Sequence, residues 1–182
     1  MKTNSVNPEF AQEHELTNNS ENFNYFLNDI QNAYWAENIQ LKTFPKWALL
    51  ANSQELRKSV LDYILLTAGH VQHIENIFEI LAQKAKGKID NALKDVLHRS
   101  EILAENTALL ATTADSAIIK ALCEIVSYQI EIYEKLNSAA KTFKQQSISE
   151  LIEKTLKEEY EIFKYFVKLR DRISKWFVKT PP

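Results

Sequence analysis

The sequence predicts an all-α protein, namely a four-helix bundle with an additional shorter helix between the second and fourth helices. The chain has 182 residues but only two glycines and four prolines, and both residue types disfavour helix interiors. Apolar residues recur at alternating steps of four and three along several long stretches, which is the spacing of helices packed at shallow angles. A chain of this length is expected to form one domain around a sizeable core.

The second helix carries a row of mostly apolar residues, here called its seam, around which the predicted bundle is organised. An N-cap signal at Asn52 and Ser53 precedes it. We predict that the helix runs from about Gln54 to Lys84, with Gly87 marking its exit. A second apolar face, one step round the helix, indicates that more than one neighbouring helix covers it. The seam itself consists of Val60, Ile64, Thr67, Val71, Ile74, Phe78 and Leu81.

The start of the chain divides into an arm and a first helix. Residues 1–22 are polar and show no sustained period, so we expect a mobile N-terminal arm. Residues 23–178 form the predicted bundle, and residues 179–182 form a C-terminal tail. In the first helix, Pro45 after Thr43 predicts a break and a restart, because proline suits a first helical turn and restricts the residue before it.

Three further helices are predicted in the second half of the chain. The third, about Asp90 to Leu110, has a weak apolar period and is expected to be an outer or connecting helix. Asp115 is the N-cap candidate for the fourth helix. A stripe beside the seam of the fifth helix carries Tyr160, Phe163 and Val167. Because such apolar patches are usually covered, we expect a homodimer, or alternatively coverage by the third helix within one chain.

Polar residues occupy seam positions in three helices where apolar residues are due. These are Glu37 in the first helix, Gln129 in the fourth and Glu159 in the fifth. A carboxylate on a core face is costly unless it is paired, hydrogen-bonded or bound to a cation. His70 and His73 lie three residues apart on one face of the second helix, close enough to share a cation. Glu37, His70 and Glu159 are therefore candidate metal ligands.

Each of these residues also has a purely structural interpretation. Glu37 can be a bundle-edge glutamate that reaches water or a lysine, and the two histidines can be one half-buried and one solvated side chain. Carboxylate-bridged di-iron bundles place a Glu-x-x-His motif on each of two helices, and this chain has no such motif. The sequence also has no glycine-rich phosphate loop or nucleophile motif. The motifs therefore favour a protein that is not an enzyme.

Composition and charge argue against several classes of partner. The formal net charge of −2, with scattered basic residues, gives no footprint for nucleic acid. No apolar run approaches the roughly 20 residues of a membrane helix, and the N-terminus lacks the apolar region of a signal peptide. We therefore expect a soluble, cytoplasmic protein. The single cysteine, Cys123, is expected to be a buried and inert thiol.

Several short motifs occur in the order and spacing found in a known family. They are Ile30–Glu37, Phe44–Lys46, Ala51–Leu56, Thr67–Val71, Ile74–Phe78, Asp115–Ile119 and Leu156–Glu159. From about Phe23 to Leu169, the chain resembles the YciE/YciF family of small, ferritin-like bacterial proteins of poorly defined function. The resemblance implies a ferritin-like bundle. It also implies that Glu37 and Glu159 match the presumed metal positions on the first and last helices.

The chain departs from the pattern of this family in the two middle helices. The second helix of the family usually offers a histidine and a glutamate where this chain has Tyr63 and Leu66. The fourth usually reads Glu-His-Tyr-Glu where this chain has Val126–Gln129. A bridged two-metal site needs several anionic ligands, so no di-iron centre and no cofactor are expected.

Without a cation, the two seam carboxylates need other partners. Gln129 keeps the shape of a glutamate but has no charge, so it should hydrogen-bond Glu37 or Glu159. We also expect the carboxylates to share a proton or to recruit a tyrosine donor, and at least one carboxyl pKa should rise. The candidate donors are Tyr34, Tyr63 and Tyr128.

Three functions remain open at this stage. The first is a non-catalytic, stress-associated or structural ferritin-like protein of the YciE/YciF type. The second is a ferritin-like oxidase or iron-handling protein that binds iron or manganese through Glu37, His70 and Glu159. The third is a partner-binding bundle whose N-terminal arm or aromatic surface docks another protein.

Overall fold

The computed structural model describes the backbone of residues 8–107 and 111–179, and the side chains of residues 21–103 and 114–175. The described backbone forms five helices and no strand, so the predicted all-α class is confirmed. The helices are α1 (Pro8–Leu50), α2 (Gln54–Ile80), α3 (Asn91–Thr107), α4 (Ala111–Thr142) and α5 (Gln146–Lys179).

The bundle consists of two helix pairs that face each other. Helix α1 packs along α2, and α4 packs along α5, while further contacts join α1 to α4 and α2 to α5. Helix α3 lies mainly on α4 and has a smaller contact with α1. This is the predicted arrangement of four core helices with one additional helix between the second and fourth. None of the described helices has the combination of length and apolarity needed to cross a membrane.

The core has two apolar clusters with a polar layer between them. The first apolar cluster surrounds Trp47, Tyr63 and Phe166, and the second surrounds Phe26 and Phe78. Each of the four core helices contributes a fully buried polar residue near the boundary between the two clusters. These four residues, here called the central polar layer, are Glu37, His70, Gln129 and Glu159.

Helix α1 is longer and more continuous than the sequence predicted. It begins at Pro8 rather than after residue 22, and it passes through Pro45 to Leu50 without the expected break. An interior proline costs a helix about 3 kcal/mol, but Phe44 and Trp47 flank this proline and are fully buried. Their burial outweighs the local preference. Residues 1–7 lie outside the described part of the chain, and the mobility of the N-terminal arm stays a prediction.

The exit of α2 is also different from the prediction. The helix ends at Ile80, and Ala82 adopts a left-handed conformation with φ 53°. The amide of Gln83 donates to the carbonyl of Phe78 at 2.9 Å, and the amide of Ala82 donates to that of Glu79 at 3.0 Å. This is the hydrogen-bond pattern of a Schellman cap, which glycine usually completes.

Gly87 has a different role from the helix exit that the sequence suggested. The segment after α2 runs against α1, where the amide of Lys88 donates to the carbonyl of Gln31 at 3.0 Å. A Cβ atom added at Gly87 would lie 3.0 Å from Cβ and 3.2 Å from Cα of Trp35. Glycine is needed here because it allows the close approach of two backbones.

Asp115 caps a different helix from the one predicted. It lies inside α4, and its carboxylate accepts hydrogen bonds from the amides of Asn52 at 2.7 Å and Ser53 at 2.8 Å. The hydroxyl of Ser53 accepts from the amide of Leu56 at 3.3 Å, so the predicted N-cap of α2 is confirmed. Asp115 therefore fastens the start of α2 to α4 and is not the N-cap of α4.

Candidate functional site

The central polar layer brings one residue from each core helix to the middle of the bundle. Glu37 of α1, His70 of α2, Gln129 of α4 and Glu159 of α5 have 0% exposed surface. The interior positions predicted for Glu37, Gln129 and Glu159 are therefore confirmed, as is that of Thr67. The bundle-edge interpretation of Glu37 is wrong, because the side chain has no access to water.

His70 lies between the two buried carboxylates. Its Nδ1 atom is 3.2 Å from Oε1 of Glu159 and 3.5 Å from Oε1 of Glu37. Its Nε2 atom is 3.1 Å from Oε2 of Glu158, a half-buried residue beside the layer. One ligand atom from each of Glu37, His70 and Glu159 falls within 4.8 Å of the others. The three residues that the sequence marked as candidate metal ligands are thus brought together.

Neutral donors complete the surroundings of both carboxylates. Oε1 of Glu37 accepts from Nε2 of Gln129 at 2.8 Å and from the hydroxyl of Tyr133 at 2.6 Å. Both oxygens of Glu159 lie 3.1 Å from the hydroxyl of Tyr63, which donates to them. The expected role of Gln129 as a hydrogen-bond partner of a seam glutamate is present in the structure.

The tyrosine donors match the prediction only in part. Tyr63 has the expected role, but Tyr34 donates to Glu75 and Tyr128 donates to Asp90, away from the layer. The donor that sequence reasoning missed is Tyr133. It follows Gln129 by one turn on the same seam, and this spacing could have identified it.

The proton balance of the layer follows from its burial and its charges. Burial opposes the charged form of His70, but Glu37 and Glu159 outweigh it and raise its pKa to about 10. Burial also raises the pKa of Glu159 to about 7, with repulsion from Glu37 adding to this effect and His70 opposing it. The predicted rise of a carboxyl pKa is therefore present. Near neutral pH, His70 is therefore an imidazolium.

The second predicted histidine lies apart from the carboxylates. Nδ1 of His73 is 2.9 Å from the hydroxyl of Thr155, and its ring stacks on that of His70 with centroids 6.3 Å apart. Burial lowers the pKa of His73, and the nearby Lys154 lowers it further. Nδ1 of His73 is thus held by Thr155 of α5, and His73 is not part of the group formed by Glu37, His70 and Glu159.

The donor set fits one cation better than two. Among the described side chains, Oε2 of Glu37, Nδ1 of His70 and Oε1 of Gln129 are buried and lack an aligned hydrogen bond. Carboxylate oxygen and imidazole nitrogen are donors that iron and manganese accept. A second ion would need further anionic groups, but Gln129 is neutral and Leu66 is half-buried against the first apolar cluster.

The comparison with known families agrees with this architecture. A family model described as "Domain of unknown function (DUF892)" matches residues 21–176. The chain belongs to this family. No curated protein sequence matches it.

Solved structures of the same fold include proteins from three bacteria. YcfI from Rhodopseudomonas palustris is 21% identical, with a TM-score of 0.77 over 80% of this chain and 92% of its own. The E. coli stress protein YciF is 19% identical, with a TM-score of 0.76 over 85% and 97%. A protein from Xanthomonas campestris is 14% identical, with a TM-score of 0.62 over 87% and 97%. The resemblance to the YciE/YciF family is thus confirmed.

Proposed function

We propose that this DUF892 protein is a non-catalytic, structural bundle in which an internal ion cluster takes the place of a ferritin-like di-metal centre. The observation that carries the proposal is the position of His70. Its Nδ1 atom lies 3.2 Å from Glu159 and 3.5 Å from Glu37, where it supplies the positive charge that the buried carboxylates require.

The remaining polar groups support this assignment. Gln129 and Tyr133 donate to Glu37, and Tyr63 donates to Glu159. These donors stabilise carboxylates and add no negative charge with which to hold two metal ions. All four residues of the central polar layer are buried, so no substrate reaches them without a rearrangement of the bundle. A structural role follows more directly from this arrangement than an enzymatic one.

The physiological setting is proposed from the fold relatives. One of them is the E. coli stress protein YciF, and we infer that this protein is a cytoplasmic, stress-associated member of the same family. The corresponding observation would be a rise in its abundance under osmotic or oxidative stress, and constant abundance would contradict the inference.

Elemental analysis of protein purified without a chelator tests the metal-free centre. We expect iron and manganese far below one ion per chain, and the same unfolding temperature with and without EDTA. A matched gain-of-function variant is Leu66→Glu combined with Gln129→Glu, which adds two carboxylates next to the layer and should acquire iron or manganese. Stoichiometric metal bound to the unmodified protein through Glu37 and Glu159 would overturn the proposal.

A second candidate function is the binding of a single iron or manganese ion by Glu37, His70 and Glu159. The observation in its favour is that the three ligand atoms lie within 4.8 Å of one another, while Oε2 of Glu37 and Nδ1 of His70 lack hydrogen bonds. The ion would replace the proton of His70, so binding would release protons. Calorimetric titration with Mn²⁺ in two buffers of different ionisation enthalpy tests this function, and Glu159→Gln should abolish the signal.

A further inference from the structure

The second half of α5 carries a row of basic residues on one face. Between positions 164 and 179 the helix has six basic residues and one acidic residue, whereas between 146 and 163 it has two basic and five acidic residues. Five of the six basic residues follow one another at steps of four, four, three and four, which places them on one narrow face of the helix. We call this row the basic stripe of α5, and its members are Lys164, Lys168, Arg172, Lys175 and Lys179.

Most of the basic stripe has no acidic partner within the described part of the chain. Arg172 forms an ion pair with Glu55, but the exposed Lys164, Lys168 and Lys175 form no ion pair with another described side chain. Basic residues near a helix C-terminus also stabilise the helix dipole, but that effect is confined to the last turn. Lys164 lies about four turns before the end of α5. The stripe therefore presents positive charge that an external anion can neutralise.

The stripe reaches the end of the bundle that also carries Leu49, the most exposed large apolar side chain among the described residues. The ring of Tyr63 contacts those of Phe44 and Phe166, which marks one level of α1, α2 and α5. Towards the start of α2, Leu49 lies five residues beyond this level and Arg172 six residues beyond it, or about 8 and 9 Å. Leu49 is 82% exposed. It therefore lies at nearly the same height as Arg172, and the last two turns of α5 continue past it.

Helix α3 adds a second exposed apolar side chain at this end. Lys46, one turn before Leu49, pairs with Glu101 at 2.6 Å, and the next residue, Ile102, is 45% exposed. Apolar side chains beside basic ones are the combination with which proteins bind the surface of a bilayer, because the apolar groups enter the boundary between headgroups and acyl chains. Phosphate groups alone offer no favourable partner to Leu49 or Ile102.

We propose that this end of the bundle binds the surface of a membrane that contains anionic phospholipids. The basic stripe contacts the headgroups, and Leu49 and Ile102 enter the boundary below them. Each lysine or arginine next to an anionic bilayer raises the affinity about fivefold. The acidic first half of α5 lies towards the other end of the bundle, so the molecule stands on its basic end.

The overall charge and the helix lengths are compatible with this mode of binding. The formal net charge of the chain is −2, but the Debye length at physiological salt is only about 8 Å, so the charge near the bilayer decides. Binding at the surface requires no membrane-spanning helix, and none of the described helices could form one. The inference does not depend on whether the central polar layer holds a metal.

Flotation of the full chain with phosphatidylcholine vesicles, with and without phosphatidylglycerol, tests the binding. We expect the chain to float only with the anionic vesicles, and less so as the NaCl concentration rises. Lys168→Gln combined with Lys175→Gln should weaken binding by roughly 30-fold. The matched control is Lys84→Gln combined with Lys86→Gln, which changes the net charge equally on the exposed segment at the opposite end. Absence of binding by the natural sequence, or equal losses in the two double variants, would overturn the proposal.

A label at Leu49 tests whether the surface binds lipid rather than any polyanion. In a Cys123→Ala background, an environment-sensitive fluorophore at Leu49→Cys should shift its emission to shorter wavelength when anionic vesicles are added. The same fluorophore at Leu65→Cys, a position 74% exposed in the middle of α2, should not. Duplex DNA at the same salt concentration should not displace the chain from the vesicles. Binding of DNA that depends on Lys168 and Lys175, with no shift at Leu49 on vesicles, would assign the stripe to nucleic acid and refute the membrane proposal.

Discussion

His70 provides the positive charge of the central polar layer when it is protonated. With the proton, the layer holds one imidazolium between two carboxyl groups. Without it, Glu37 and Glu159 face each other in a site with no exposed surface. Burial disfavours the imidazolium, but its attraction to the two carboxylates outweighs this cost and makes the protonated form the stable one. The imidazolium of His70 thus supplies the positive charge that a metal cation would otherwise supply to the two carboxylates.

The first prediction concerns the titration of the two neighbouring histidines. Because the carboxylates raise the pKa of His70 to about 10 while burial lowers that of His73, His70 should remain protonated at about pH 8 and His73 should be neutral. Nitrogen chemical shifts of the imidazole rings measure this directly. In Glu159→Gln, the pKa of His70 should fall. Titration of His70 with a pKa near the ordinary histidine value of 6.5 would contradict the ion cluster.

At the scale of helices, the ends and connections are set by contacts between elements. The carboxylate of Asp115 on α4 holds the amides of Asn52 and Ser53 directly before α2, and the segment after α2 is held against α1 through Gly87 and Lys88. Asp115 lies inside α4 but binds the segment before α2. Gly87 and Lys88 precede α3 but contact α1. The two contacts fix the start of α2 and the path of the segment that follows it.

The second prediction is that Asp115→Asn destabilises the protein although it is nearly isosteric. The aspartate carboxylate accepts from the amides of Asn52 and Ser53, and an amide cannot accept both bonds with the same charge. We expect a loss of about 1–2 kcal/mol in the free energy of unfolding. Urea denaturation measures it. As a comparison, Ser53→Ala removes the side-chain cap of α2 and should cost about 1 kcal/mol. If Asp115→Asn were as stable as the natural sequence, the hydrogen bonds from Asn52 and Ser53 to Asp115 would not contribute to stability.

The third prediction compares the two glycines. Gly87→Ala should destabilise the protein by about 1–3 kcal/mol, because the new methyl group meets the backbone and Cβ of Trp35 at 3.0–3.2 Å. Gly69→Ala is the control, since its methyl group meets nothing within 4 Å. It should stabilise α2 by up to about 1 kcal/mol. If Gly87→Ala were neutral, the close approach to α1 would not constrain the chain.

At the scale of the whole molecule, the polar layer separates two apolar clusters that would otherwise form one continuous core. Its ionisable groups are buried, and the interactions between them depend on which of them carry a proton. The free energy of unfolding of the entire bundle is therefore linked to pH. Two groups of the layer have raised pKa values: that of His70 rises from 6.5 to about 10, and that of Glu159 from 4.5 to about 7. In both cases the folded state holds its proton more tightly than the unfolded state.

The fourth prediction is the resulting pH dependence of stability. The contribution of His70 is complete below pH 6.5 and is lost as the pH rises towards 10, and that of Glu159 is lost between pH 4.5 and 7. Unfolding free energy should therefore fall with rising pH across this window, by an amount on the order of a few kcal/mol. Urea denaturation at a series of pH values measures it. Glu159→Gln should remove the decline in the lower half of the window, and a stability that increases up to pH 10 would refute the linkage.

The sequence by itself determined the fold class, the helix seams and three of the four residues of the central polar layer. Glu37, Gln129 and Glu159 could be found because seam spacing is a local property: once a helix forms, its period fixes which residues face inward. The same argument identified the start of α2 at Ser53, since a cap depends on residues within one turn.

Only the tertiary structure decided which groups meet across helices. The rotation and offset between two helices are not encoded in either seam, so the sequence could not tell that His70 would lie between Glu37 and Glu159, or that Tyr133 rather than Tyr128 would donate to Glu37. Long-range packing also reversed local signals. Burial of Phe44 and Trp47 carries α1 through Pro45, and Asp115 caps α2 instead of its own helix because another helix start lies within reach of its carboxylate.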